Sequence, residues 1–370
     1  MGKKWDGNKG GRDEWIEWLC EIMIEVKRVL KPGAHGFVWA LPRTSHWTAM
    51  SLENAGFEIR DCIVHTFSSG FPKSHSVDLK MDKINGKKWQ GYGTALKPAC
   101  EYWWMVRKPL SENTVAENVL KWGTGALNID DCRIPYAGDD IPVGGYGKME
   151  IGIGRPQETM QMKRRRNNSV NYNMPSGSNE SWFSSPMGRF PANLLVSDDV
   201  LGNHSSVDKG SYSRYFDLDR WFNTTYPFLV IPKASKSEKN KGCEKLEDKI
   251  HQLNAGGIGR KCSVENRLEK NGENATKMKN THPCTKPIKL MSHLIVLGSS
   301  REGDVVLDPF AGSGTTLVAA KLLNRKYIGM EQDAEYCKII NARLNGCDDA
   351  TIEKSMPVLK QKIKENDFFE

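Results

Sequence analysis

Val305-Val-Leu-Asp-Pro-Phe-Ala-Gly-Ser-Gly-Thr-Thr316 is the stretch of the chain best suited to chemistry. An apolar run ends in a carboxylate, passes two closely spaced glycines and enters a helix-forming sequence. Such a turn aims backbone N–H groups and a helix N-terminus at a ligand. Glu331 follows Asp308 by 23 residues, at the end of the next expected strand. An acidic side chain there can accept hydrogen bonds from two ribose hydroxyls. Three ligand classes compete for the loop. A P-loop needs a lysine after its last glycine, and Thr315 stands there. A dinucleotide fingerprint needs Gly or Ala three residues after Gly314, and Leu317 occupies that place. Asp308 would also repel a pyrophosphate, whereas it suits a cationic ligand bearing an ammonium or sulfonium.

The elements that hold this loop are legible in the apolar spacing. Residues 304–308 read as a buried strand, 315–323 as a helix, 326–330 as a strand and 334–344 as a helix, a βαβ pattern preceded by a helix over 288–297. Near the start, Trp15, Trp18, Leu19, Ile22, Met23, Val26 and Leu30 recur at helical spacing and stop at Lys31-Pro-Gly33. A strand over 35–41, a helix over 44–55 and a strand over 57–67 follow. Alternating strands and helices predict an α/β layer with some parallel pairing. Residues 68–280 lose this rhythm. They are rich in Gly, Asn and Ser, with aromatic islands at Glu101-Tyr-Trp-Trp-Met105 and Arg220-Trp-Phe222 and isolated strands at Leu194-Leu-Val196 and Phe228-Leu-Val-Ile231. A span this long without clear elements reads as insertions and functional loops.

The 370 residues suggest about two structural units. Charged residues make up 26% and mean hydropathy is -0.56, and no apolar run approaches the roughly 18 residues of a membrane span. No apolar segment follows Met1-Gly-Lys-Lys-Trp5, so a secretory signal is not expected. Nine cysteines lie scattered without a C-x-x-C pair, which suits reduced thiols. Net charge is +8, and residues 236–289 carry 13 Lys/Arg against 7 Asp/Glu. That stretch, and Lys163-Arg164-Arg165-Arg166, each read either as a footprint for a polyanion or as a solvated basic loop.

Asp308-Pro-Phe-Ala-Gly-Ser-Gly-Thr-Thr316 together with Gly329-Met-Glu331 resembles the S-adenosylmethionine site of DNA amino-methyltransferases of the β arrangement, which methylate adenine N6 or cytosine N4. His282-Pro-Cys-Thr-Lys-Pro287 is similar to the segment under the methionine end of their cofactor. Val29-Leu-Lys-Pro-Gly33, Pro42-Arg-Thr44 and Ser69-Gly-Phe-Pro-Lys-Ser74 resemble the catalytic half. Lys97-Pro98, Arg107-Lys-Pro109 and Gly188-Arg-Phe-Pro-Ala-Asn193 recur in phage and bacterial members. The resemblance implies a Rossmann-like methyltransferase sheet with a long target-recognition insertion. The catalytic half would span 1–80, the recognition region 81–280, the cofactor half 281–347 and a charged tail 348–370. Asp308, Pro309, Phe310, Ala311, Gly312, Ser313, Gly314 and Thr315 would hold the methionine portion, Glu331 the ribose, and Lys286 and Pro287 the pocket border. Ser69, Phe71 and Lys73 would face the target base, with Phe71 stacking on the extruded ring, and Arg164, Arg165 and Arg166 would meet phosphates. The implied partner is double-stranded DNA, with a homodimer and a cognate restriction nuclease left open. The implied setting is the cytoplasm of a bacterium or phage-infected host. Adenine is favoured over cytosine by the likeness to phage and bacterial members.

One family motif has no counterpart. The chemical step uses Asp/Ser/Asn-Pro-Pro followed by an aromatic residue, and no Pro-Pro dipeptide occurs in the chain. Ile134-Pro-Tyr136 and Ser184-Ser-Pro186 come nearest. In relatives the motif stands just before a segment resembling Met1-Gly-Lys-Lys-Trp5. The expectation is a chain begun at an internal methionine, lacking the strand beside 304–308, binding cofactor poorly and inactive alone. The alternatives are a non-catalytic DNA-binding remnant or accessory subunit, and an RNA amino-methyltransferase. A nicotinamide oxidoreductase is disfavoured by Leu317 and Asp308-Pro309. A zinc site of Cys243, Cys262, His282 and Cys284 lacks compact ligand spacing, so ordinary reduced cysteines are favoured and no metal is expected. Trp103-Trp104 reads as strand core in preference to a base-stacking platform.

Overall fold

The computed structural model describes residues 10–67, 74–81, 83–136, 188–197, 201, 212–226, 236–250, 277–299 and 301–347. The long insertion at 137–187, residues 251–276 and the tail from 348 lie outside this set, as does the expected strand at Phe228-Leu-Val-Ile231.

Helix α1 (Arg12–Val29) carries Asp13 and Glu14 in its first turn and Lys27 and Arg28 in its last, matching the helix dipole at both ends. Its apolar stripe buries Leu19 and Met23 against Leu52 and Ala55 of α2 (Ser45–Asn54), with Phe57 and Val106 completing the cluster. Between them runs β1 (His35–Ala40), and β2 (Glu58–Thr66) follows α2. After a short helix α3 (Lys83–Lys88) comes β3 (Cys100–Arg107), then α4 (Val115–Trp122), closed by a Thr114–Glu117 capping box and by Gly123 at φ 72. Strand β4 (Leu194–Val196) and helices α5 (Leu218–Thr225) and α6 (Lys236–Asn240) complete the middle, with a two-residue pairing of β5 (Lys249–Ile250) and β6 (Lys277–Met278).

The first sheet has the order β1-β3-β2-β4. β3 is antiparallel to both β1 and β2, with Trp39 opposite Trp103 and Ile63 opposite Trp103, and β4 runs parallel to β2 with His65 opposite Leu195. Two of its four strands therefore come from within 81–280. β3 shows no polar alternation because Trp103, Met105 and Val106 are all buried and the sheet is covered on both faces. As expected, Trp103 is core, while Trp104 is half-buried and donates Nε1 to the Ser45 carbonyl at 2.9 Å.

The second sheet is a βαβ unit in which β7 (Val305–Asp308) and β8 (Lys326–Gly329) pair in parallel across α8 (Thr315–Leu322), followed by α9 (Ala334–Asn345). The α/β class and these boundaries agree with the sequence reading. The two sheets share no hydrogen-bonded strand pair among the described residues. They share a core instead. Helix α7 (Ile288–Gly298) is buried from Ile288 to Leu297, and its Leu290 and Leu294 pack in one cluster with Ile63, Trp103 and Leu195 on one side and Val318 and Ala319 on the other. β1 and β7 each have a single strand neighbour among the described residues, and Val305 at the start of β7 is 57% exposed. No helix among the described residues is long and apolar enough to cross a membrane.

Two histidines are held neutral by this packing. His293 of α7 lies edge-on to Trp221 at 4.6 Å, its Nδ1 without a partner among the described residues, and burial pulls its pKa down to about 4. His35 is likewise pulled to about 4, by burial first and by Arg107 and Arg60 second. Below pH 6.5 the unfolded chain takes up protons that the folded chain refuses, so stability falls with pH until about pH 4. His293 alone accounts for about 3 kcal/mol of this loss at most. A His293→Phe chain should show a shallower decline of urea midpoint between pH 6.5 and 4 than the parent; an unchanged pH profile would contradict the assignment.

Candidate cofactor and substrate site

The loop after β7 is built by its own backbone. Asp308 accepts the Phe310 amide at 3.0 Å, an Asx turn that bends the chain at the strand end. The Ala311 amide donates to the Met330 carbonyl at 2.9 Å and the Met330 amide to the Asp308 carbonyl at 2.9 Å, so the ends of β7 and β8 are laced together. Glu331 is thereby brought to the loop. Its Oε2 accepts the Gly312 amide at 2.9 Å and its Oε1 the Asp333 amide at 2.8 Å. Each oxygen keeps a further lone pair for a ligand hydroxyl.

Gly312 is required twice over. Its φ is 55, and a Cβ there would stand 2.8 Å from Nε2 of His282. His282 itself lies edge-on to Tyr336 at 4.6 Å and accepts the Cys284 amide at 3.3 Å, so the 282–287 segment is pressed across the glycine loop. Ser313 donates to Thr285 at 3.2 Å from the other side. Gly314, at φ 75, opens α8 without a capping side chain.

The loop is gripped from behind. Arg343 of α9 is 2% exposed, and its Nη1 donates to the Ser313 carbonyl at 2.7 Å, to Thr315 Oγ1 at 3.0 Å and to Ser313 Oγ at 3.2 Å. Its nearby counter-charge is Glu238 of α6, also buried, whose carboxyl is pushed up by burial and which accepts the Ile288 amide at the start of α7 at 2.8 Å. Arg343 was not foreseen, because a charge in an amphipathic helix reads as exposed. Its one sequence signal is the helical spacing that puts it on the face of Tyr336, Ile339 and Ile340, all buried.

Asp308, Pro309, Phe310, Ala311, Gly312, Ser313, Gly314, Thr315 and Glu331 thus come together at one loop. Pro287 caps α7 and Lys286 points toward the first sheet. Its Nζ meets Glu101 of β3 at 2.8 Å and sits 4.0 Å from the ring centroid of Trp39. Glu101 and Trp39 carry no motif of their own, and 185 positions separate Lys286 from Glu101. Phe310 is 51% exposed and touches Trp18 of α1, ring centroids 6.1 Å apart. Ser69, Phe71, Lys73, Arg164, Arg165 and Arg166 lie outside the described residues, as does Cys262. Cys243 packs with Tyr336 and Ile339. Among the described residues no three His, Cys, Asp or Glu side chains converge as metal ligands would.

The loop offers two carboxylates at adjacent strand ends, while its amides at 310, 311, 312 and 314 are given to Asp308, Met330, Glu331 and Ala311. Spare carboxylate acceptors without free amide donors fit an adenosyl ligand with a cationic head better than a phosphate. Gly312→Ala should lower stability by about 2 kcal/mol, strain and collision combined, whereas Gly303→Ala, at φ 81 with no atom within 4 Å of a Cβ, should lose only the backbone part. Equal losses on urea denaturation would contradict the close approach of His282.

Comparisons with known proteins show the family of the chain. A family model described as DNA methylase, N6_N4_Mtase, matches residues 1–342. Among curated relatives, Type II methyltransferase M2.MboI of Moraxella bovis is 40% identical over 89 residues, 24% of this chain and 29% of its own. Orphan methyltransferase M.BamHII of Bacillus amyloliquefaciens is 57% identical over 63 residues, 17% of this chain and 23% of its own. The chain thus matches about a quarter of the length of these relatives. Among solved structures, the M1.HpyAVI–SAM complex superposes with a TM-score of 0.38 at 16% identity, covering 90% of this chain and 84% of the other. With its family signature spread from the first residue to α9, this chain belongs to the DNA methylase family.

Proposed function

We propose that the chain binds S-adenosylmethionine at the 308–315 loop and serves methyl transfer to the exocyclic amino nitrogen of adenine or cytosine in duplex DNA. The observation that carries this reading is the pairing of Asp308 and Glu331 at neighbouring strand ends beside the glycine loop. Bound there, S-adenosylmethionine supplies an electrophilic methyl on a sulfonium. Glu331 would accept the ribose hydroxyls, and Asp308 would face the cationic methionine head. Phe310 and Trp18 would wall the pocket. Lys286 and Pro287 would border it. Holding the sulfonium and the target nitrogen in line is the main source of rate in such a transfer.

The target amino group needs a hydrogen-bond acceptor to orient it, and the family's Pro-Pro motif, which supplies one, is absent from the 370 residues. We therefore propose that the chain by itself transfers no methyl group. The motif's absence equally supports a second reading, an accessory DNA-binding chain that keeps the cofactor site.

Calorimetric titration separates these statements. The parent chain should bind S-adenosylmethionine, and Asp308→Asn, which keeps the acceptor for the Phe310 amide but removes the charge, should weaken binding about tenfold. Unchanged affinity would overturn the site. With tritiated S-adenosylmethionine, duplex DNA should gain no label from the chain alone, and robust labelling would overturn the inactivity.

A further inference from the structure

Between β2 and β3 the chain leaves the sheet at Phe67 and returns at Cys100. The described part of this excursion folds back on itself. Ser76 and Gly93 form an antiparallel bridge, and the Val77 amide donates to the Tyr92 carbonyl at 3.0 Å. Ser74 Oγ accepts the Thr94 amide at 2.9 Å and the Ala95 amide at 3.3 Å, while the His75 amide donates to Thr94 Oγ1 at 3.0 Å. The two arms are therefore pinned at the base, with α3 between them.

The tip is built the opposite way to a core. Trp89 and Tyr92 meet edge to face at 5.1 Å and stay 40% and 58% exposed. Their backbones are fixed by consecutive turns, Trp89 amide to Gly86 carbonyl and Tyr92 amide to Trp89 carbonyl, both 3.1 Å. Around them stand Lys80, Lys87 and Lys88, all exposed. Residues 74–97 hold five lysines against two aspartates. Rigidly presented aromatic rings among lysines suit a polyanion that also offers ring faces. The base of the excursion adjoins Glu101, which pairs with Lys286 from the segment across the glycine loop. The tip therefore belongs to the same end of the sheet as the candidate site.

We propose that this fold-back is a DNA-contact element, in which Lys80, Lys87 and Lys88 neutralise phosphates and the Trp89–Tyr92 pair packs against exposed base or sugar faces. The proposal rests on the reading that the chain acts on duplex DNA. It is tested by fluorescence anisotropy of a labelled duplex with the full chain across a salt series. Lys87→Glu with Lys88→Glu should weaken binding at least tenfold and flatten the slope of log affinity against log salt by about 2. Trp89→Ala with Tyr92→Ala should weaken binding about tenfold with the slope unchanged. Both variants should bind S-adenosylmethionine as the parent does, which shows the fold intact. Parent-like affinity and slope in both variants would overturn the element and leave the DNA reading standing. A parent chain that binds S-adenosylmethionine but no duplex would overturn both. Loss of self-association on sedimentation in the aromatic variant, with DNA binding unchanged, would make the patch a contact between copies and also overturn the proposal.

Discussion

A guanidinium withdrawn from water costs free energy that its hydrogen bonds and a counter-charge must offset, and buried Arg343 meets that cost through Nη1, its Nη2 having no hydrogen-bond partner among the described residues. The acceptors within its reach are the Ser313 carbonyl and hydroxyl and the Thr315 hydroxyl, so the glycine loop is held where Arg343 places it. Arg343 is in turn fixed by α9, whose Tyr336, Ile339 and Ile340 are buried. Glu238 supplies the nearby opposite charge and also holds the first amide of α7. Loop, α9, α6 and α7 are thus one connected polar network behind the candidate pocket. Residues 236–250, inside the stretch expected to recognise a target, contribute to the support of the βαβ unit.

Helix α7 transmits this placement to the first sheet. It is buried on every side because it lies between the two sheets, touching Trp103 and Leu195 on one hand and the α8 side chains on the other. Its N-terminal flank carries Lys286, whose ion pair with Glu101 and contact with Trp39 tie the segment across the glycine loop to β3 and β1. Both partners are largely shielded from solvent, so this pair is one whose breakage leaves a poorly solvated charge. It joins the cofactor loop to the sheet end from which the Trp89–Tyr92 fold-back projects.

Much of this was legible in the sequence where interactions are local. The βαβ unit from Val305 to Gly329 and helix α9 appear within a residue or two of their expected ends, because an apolar strand, paired glycines and a capping Asp333 mark each boundary. The nine loop and strand-end residues from Asp308 to Glu331, which the family resemblance singles out, meet in space. What escaped notice is long-range. β3 is read only at Trp103-Trp104, as strand core, and its bounds go unmarked because it is interior to its sheet and buried on both faces, so its run of Tyr, Trp, Met and Val lacks alternation. Arg343 and Glu238 are charged residues whose burial only the packing of other helices decides. The Glu101–Lys286 pair and the Trp18–Phe310 contact join residues far apart in sequence that no local pattern links. The expected lack of a strand beside 304–308 leaves the sheet open there, and only packing decides that α7 bridges the two described sheets.

Hydrogen–deuterium exchange of the chain with and without S-adenosylmethionine tests the central claim most directly. The account predicts slowed exchange at the amides of 310–314 and over 282–286, with little change in α1 beyond Trp18 or in α4. Full cofactor binding with no added protection at the glycine loop, or protection confined to the first sheet, would contradict it.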